Sequence, residues 1–229
     1  MADKMNNQQG APEVMETLSK SEDFILKYKN LLIGGVVAIL VLVAGYFTVK
    51  HFTHESFQKA STAMAKAQEY YSDAVLSDDA ALFNKALNGD SLGNVGFLAI
   101  ASDYSGKAAN LANLYAGICY ARLGNWEEAA NYIKKFDGDD EMVAPAAIGA
   151  LGNVQASLGQ LDEAISTLKK AASKADNAAL SPQFLIQAAE ILESQGKKDE
   201  ALKLYEQVKA DYPEYLRFNN LDNFIERVK

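Results

Sequence analysis

The stretch GICYARLGNWEEAANYI, residues 117–133, returns as GNVQASLGQLDEAISTL at 152–168 and as AEILESQGKKDEALKLY at 189–205. The turns Leu123-Gly124-Asn125, Leu158-Gly159-Gln160 and Gln195-Gly196-Lys197 stand 35 and 37 residues apart. Five residues after each glycine comes an alanine (Ala129, Ala164, Ala201), and four further on a large side chain (Ile133, Leu168, Tyr205). Seven residues before each glycine stands a small residue: Gly117, Gly152 or Ala189. Two antiparallel helices of ~12–15 residues pack closely only if small residues meet where they cross, and glycine supplies the left-handed turn between them. The spacing predicts stacked helix pairs, an all-α array.

These residues resemble the tetratricopeptide repeat family. The third unit keeps Ala189, Gly196, Ala201, Tyr205, Val208 and Pro213; the first keeps Gly117, Tyr120, Gly124, Trp126, Ala129 and Phe136. The second keeps Gly152, Gly159, Ala164, Leu168 and Ala171. Asn113, Ile148 and Leu185 stand where the family has an early tryptophan, and Pro213 is the sole terminal proline in place. The resemblance implies an α-solenoid with three repeats over 110–213.

Outward from the repeats, 51–109 is expected to be a degenerate repeat region. Phe57, Ala60, Met64, Ala67 and Tyr71 recur at helical spacing, and Asp78-Asp79 is a candidate N-cap for a short helix closed by Asn88-Gly89. A degenerate unit over 55–90 would retain Phe83 and Ala86. At the other end, 214–229 places Leu216, Leu221, Phe224 and Ile225 on one face, the pattern of a capping helix.

Residues 31–49, LLIGGVVAILVLVAGYFTV, carry no charge. At about 1.5 Å per residue the run spans roughly 28 Å, close to the ~30 Å hydrocarbon core of a bilayer. It predicts a single transmembrane helix, with an anchor segment over 23–50 and a polar, disordered tail over 1–22. An uncleaved signal anchor is expected, because the preceding segment holds five acids and is longer than a basic n-region. Lys20, Lys27 and Lys29 before the span balance Lys50, Lys59 and Lys66 after it, so charge leaves orientation open. A short tail inside and a large domain outside is the expected layout. Gly34 and Ala38 form a small-xxx-small pair suited to a helix contact in the membrane.

Composition narrows the function. The chain has a formal net charge of −8, and after residue 49 it holds 18 Lys+Arg against 25 Asp+Glu. Such a domain repels phosphate backbones, so nucleic acid is not an expected partner. His51 and His54, with Glu55, are the nearest approach to a metal set, and interfacial polar residues are the simpler reading. Ser105-Gly106-Lys107-Ala108 lacks the first glycine and the Ser/Thr of a phosphate loop, and reads as a helix start. DGDDE at 137–141 lacks calcium-loop spacing and reads as a turn with an N-cap. The lone Cys119 is expected to be buried. No enzyme, cofactor or metal is expected.

The repeat resemblance implies a concave groove lined by the first helix of each pair, a surface that binds peptide segments. Carried onto this chain, its residues are Leu111, Leu114, Tyr115, Ile118 and Arg122, then Gly149, Asn153 and Ser157, then Gln183, Ile186 and Glu190. Family members that clamp a C-terminal carboxylate need a lysine beside Asn153, and it is missing here. Leu114, Tyr115 and Ile118 point to an apolar, tolerant groove instead.

The whole layout, with GFLAIASDYSGK at 96–107 ahead of the first clear repeat, resembles the bacterial ancillary subunit of the Sec translocon. That resemblance implies a bacterial inner-membrane, single-pass protein with a periplasmic repeat domain. Implied partners are translocon subunits, a membrane-bound peptidyl-prolyl isomerase and unfolded clients. The alternative expectation is an envelope or cell-division scaffold that self-associates into homo-oligomers.

Overall fold

A computed structural model describes residues 28, 39–47, 58–215 and 221–229. The chain divides into two compact units, 1–55 and 56–229. In the first, 39–47 is helical, with Ile39, Leu40, Val41, Leu42, Tyr46 and Phe47 exposed. The rest of the apolar run, including Gly34 and Ala38, lies outside the described residues, as do His51 and His54. Among the described residues no helix is long and apolar enough to cross a membrane.

The second unit is helical throughout, with one isolated bridge, Gly89 to Val95, among its described residues. Helix α1 covers 58–77 and buries Ala60, Met64, Ala67 and Ala74 along one stripe. Asp79 then caps α2 (Ala80–Asn88), its carboxylate accepting from Ala81 N at 2.7 Å. Gly89, at φ 89°, ends α2. A short extra helix, α3 (Phe97–Asp103), follows, with Phe97 and Ile100 fully buried.

Three hairpins come next: α4 (Gly106–Arg122) with α5 (Trp126–Ile133), α6 (Val143–Ser157) with α7 (Leu161–Ala175), and α8 (Ser181–Ser194) with α9 (Lys198–Asp211). One turn joins all three. Gly124, Gly159 and Gly196 hold φ of 78°, 76° and 75°. The residue after each donates back over five positions: Asn125 N to Tyr120 O, Gln160 N to Gln155 O and Lys197 N to Leu192 O, each at 2.9 Å. This is the closure that satisfies the last carbonyls of a helix, and an L side chain would be strained at its left-handed position.

The small positions lie where the spacing places them. Gly152 packs against Leu168, and Ala129, Ala164, Ala189 and Ala201 are fully buried. The TPR-like α-solenoid expected from the repeats is thus the architecture found.

One departure has a local cause. Helix α5 is short because Asp137-Gly138-Asp139-Asp140 cannot extend it. Asn110 of α4 pins the resulting loop, accepting from Asp137 N at 2.8 Å and donating to its carbonyl. Asp140 then accepts from Met142 N at 3.0 Å and starts α6. At the C-terminus the described helix, α10, covers Leu221–Val228 alone, and Leu216 lies outside the described residues. Leu221, Ile225 and Val228 of α10 are buried against the last hairpin. Each contributes about 1.5–3 kcal/mol relative to exposure.

Candidate protein-interaction groove

The first helices of the hairpins, α4, α6 and α8, carry the expected groove residues. Ile118 and Arg122 of α4 and Asn153 and Ser157 of α6 converge on one cleft of about 420 Å³. Trp126 and Ile133 of α5 and Val154 of α6 complete its apolar wall. The cleft exists because α4 and α6 meet through small residues. Ala121 and Ala150 face it, and they leave room where larger side chains would close the gap.

The polar groups at the cleft differ in their commitments. Ser157 donates its hydroxyl to Asn153 O at 3.2 Å, leaving its lone pairs free to accept. Asn153 is exposed. Arg122 lies over the Phe83 ring, 5.9 Å from its centroid, and has no ion pair among the described residues. No carboxylate lines the cleft.

Other expected residues lie elsewhere. Leu114 is buried in the core with Ala129, Ile133, Ala147 and Val154, so it faces the hairpin interior and not the groove. Tyr115 is half-buried, stacked on Phe97 at 4.9 Å and edge-on to Tyr71 at 5.0 Å. The extra helix α3 covers the Tyr115 side of α4 through Phe97, whereas α5 and α6 bury Leu114. Gly149 is buried, and a Cβ there would strike the Phe184 ring, so it is where α8 approaches α6. Leu111 lines a separate cleft of about 310 Å³ with Met64 and Gln68 of α1.

On α8, Gln183 is exposed and donates to Ala179 O at 3.0 Å, while Ile186 packs on the core. Glu190 has a carboxyl pushed above its usual range, first by partial burial and also by Glu193, against the pull of Arg227. Arg227 of α10 grips Glu193 through Nε at 2.6 Å and Nη2 at 2.8 Å, and Tyr205 donates to the same carboxylate at 3.3 Å. Arg227 thereby holds the Glu193 carboxyl below its usual range. The third hairpin thus presents an acidic surface partly compensated by the cap.

A larger cleft, about 610 Å³, lies between α1 and the loop at Gly93, Asn94 and Val95. Its Lys66 is paired with Glu69 at 2.9 Å. Sequence reasoning missed this cleft because the loop forms through Asp90, whose partners follow no repeat spacing. Asp90 accepts from Leu92 N at 2.9 Å, Asn94 N at 3.0 Å and the Tyr70 hydroxyl. It also missed Trp126 as a cleft residue, although that residue falls one turn past Arg122. Among the described residues no group of three or more His, Cys, Asp or Glu can hold a metal ion.

Comparison with known proteins agrees with this geometry. Residues 99–220 match the family model described as T7SS, ESX-1 secretion system protein EccA1, N-terminal domain. No curated protein matches the chain. A solved structure of nearly identical TPR-like repeats, from a Podosopora anserina protein described as a kinesin light chain, superposes with a TM-score of 0.54. It is 14% identical, over 74% of this chain and 85% of that one. A single-substitution variant of the same repeats gives a TM-score of 0.50 and 13% identity over 74% of this chain and 92% of its own. At such identity the likeness establishes the fold of TPR-like repeats.

Proposed function

The chain belongs to the family of the EccA1 N-terminal domain, and from that premise we propose that it is a noncatalytic, membrane-anchored protein-interaction module. The cleft between α4, α5 and α6 carries this reading: apolar walls, a polar rim and no titratable pair suited to acid–base chemistry. Repeat arrays of this kind offer their inner helices to extended or helical partner segments.

The uncharged run at 31–49 supports an anchor in the bacterial inner membrane, with the repeats in the periplasm. In that position the module serves as an accessory of the Sec translocon or of a periplasmic chaperone network. It meets translocon subunits, a membrane-bound peptidyl-prolyl isomerase or emerging unfolded clients. Membership in a family named for a secretion-system protein is in keeping with a place beside a protein-export machine.

A photo-crosslinking residue at Asn153, in the intact membrane, tests this against one at exposed Lys170 on α7. Adducts with export subunits or nascent chains from 153 and not from 170 are expected. Self-adducts alone would replace the reading with a self-associating envelope or cell-division scaffold. Protease added to spheroplasts tests the orientation. The repeat domain should be digested, and its survival would contradict a periplasmic placement.

A further inference from the structure

We propose that the α4–α5–α6 cleft selects partner segments in which an apolar side chain stands beside a carboxylate. The apolar group enters the cleft and the carboxylate pairs with Arg122. The proposal rests on the groove reading above and adds a chemical class of ligand to it.

Three observations carry it. Ile118, Trp126, Ile133 and Val154 make the walls apolar, and a volume of about 420 Å³ accommodates a large side chain. This is within the ~300–1,000 Å³ of ligand pockets, so an anchor side chain fits with room left for the backbone that carries it. Second, Arg122 is the sole charged residue lining the cleft, and its guanidinium has no acidic partner among the described residues. The other described arginine, Arg227, is fully engaged by Glu193. A guanidinium held against an aromatic face beside apolar walls keeps its donor fork available for a planar carboxylate. Third, Asn153 and Ser157 stand beside it and offer the donor and acceptor that an extended backbone requires.

The charge of the whole chain makes the sign of this preference informative. A net charge of −8 attracts basic peptides at long range. Charges farther than the ~8 Å Debye length at physiological salt are largely screened, so the contact with Arg122 decides selectivity. Preference for acidic peptides would run against the global field, and it must come from the cleft.

The test uses the full-length chain in detergent and fluorescein-labelled nonapeptides with a central Leu in a Gly/Ser background. Asp, Asn or Lys is placed two residues away, and binding is read by anisotropy. The Asp peptide should bind at least tenfold more tightly than the Asn peptide, and replacing its Leu by Gly should abolish binding. In Arg122→Gln the advantage should fall below twofold, Arg122→Lys should keep part of it, and Arg122→Glu should favour the Lys peptide. Equal binding of Asp and Asn peptides, or an Asp advantage unchanged in Arg122→Glu, would overturn the proposal. The groove reading survives that result if binding still requires Leu and is lost in Asn153→Phe, which fills the cleft from an exposed position. Binding indifferent to Asn153→Phe, or no binding by any peptide, would overturn both.

Discussion

Gly117 of α4 and Ile133 of α5 meet so closely that a Cβ on Gly117 would stand 2.5 Å from Ile133 Cγ1 and 2.9 Å from Ile133 N. The corresponding contact in the next hairpin is softer. A Cβ on Gly152 would lie 2.8 Å from Leu168 Cγ, and the nearest backbone atom, Ala164 O, is 3.4 Å away. Alanine gains about 1 kcal/mol of helix propensity over glycine, while overpacking costs about 1–3 kcal/mol. Gly117→Ala must displace backbone and should be destabilising by ~1–2 kcal/mol. Gly152→Ala must shift the buried Leu168 side chain but no backbone, so it should cost less than Gly117→Ala. Urea melts of the two variants check the ranking.

The grip of Arg227 on Glu193 ties α10 to α8. The Glu193 side chain is 19% exposed and that of Arg227 is 52% exposed, so solvent screens the pair but does not cancel it. Removing Arg227 leaves Glu193 beside Glu190 with only the weaker pull of Lys198. Arg227→Ala should lower Tm by roughly 2–4 °C in low salt. The loss should shrink in 1 M NaCl and largely vanish in a Glu193→Gln background. A thermal double-mutant cycle at two salt concentrations measures it.

Cys119 is fully buried, and burial pushes its thiol up to about 12. The thiolate is the reactive form, so native-state labelling at pH 8 should be about a thousandfold slower than for a free thiol. Disulfide-exchange reagents should reach full stoichiometry once guanidinium unfolds the chain. Rapid labelling of the native protein would place Cys119 at the surface.

Asp90 gives the fold an acid-sensitive point. Its bond from the Tyr70 hydroxyl, with others from Asn94 and Leu92, holds its carboxyl well below the usual range. A depressed carboxyl pKa stabilises the fold above the unfolded value near ~4, and that contribution is lost as pH falls below it. The Tm difference between the native chain and Asp90→Asn should therefore be largest near neutrality and narrow toward pH 3. Calorimetry across that range reads the trend.

The repeats were legible because their cause is local and periodic. A left-handed glycine, a small crossing residue and an alanine at fixed spacing each leave a mark in the sequence. Tyr115 is drawn out of the groove because α3, inserted between α2 and α4, turns that side of α4 into core, while Leu114 faces α5 and α6 and belongs to the core between them. Nothing in the spacing of the 97–103 stretch announces where it packs. Arg227 and Glu193 are 34 residues apart and follow no repeat register, so the latch appears only when the chain is folded. The cleft was half legible: Ile118, Arg122 and Asn153 follow from repeat geometry, whereas Trp126 enters it from the second helix of its hairpin.

Trp126 is the only tryptophan in the chain and it lines the cleft, so its fluorescence tests directly whether the groove is where partners bind. Titrating the full-length protein with the Leu–Asp peptide should shift and saturate Trp126 emission with the same midpoint as the anisotropy curve. Asn153→Phe should abolish both signals. Peptide binding that saturates by anisotropy while Trp126 emission stays unchanged would place the interaction elsewhere and contradict the account.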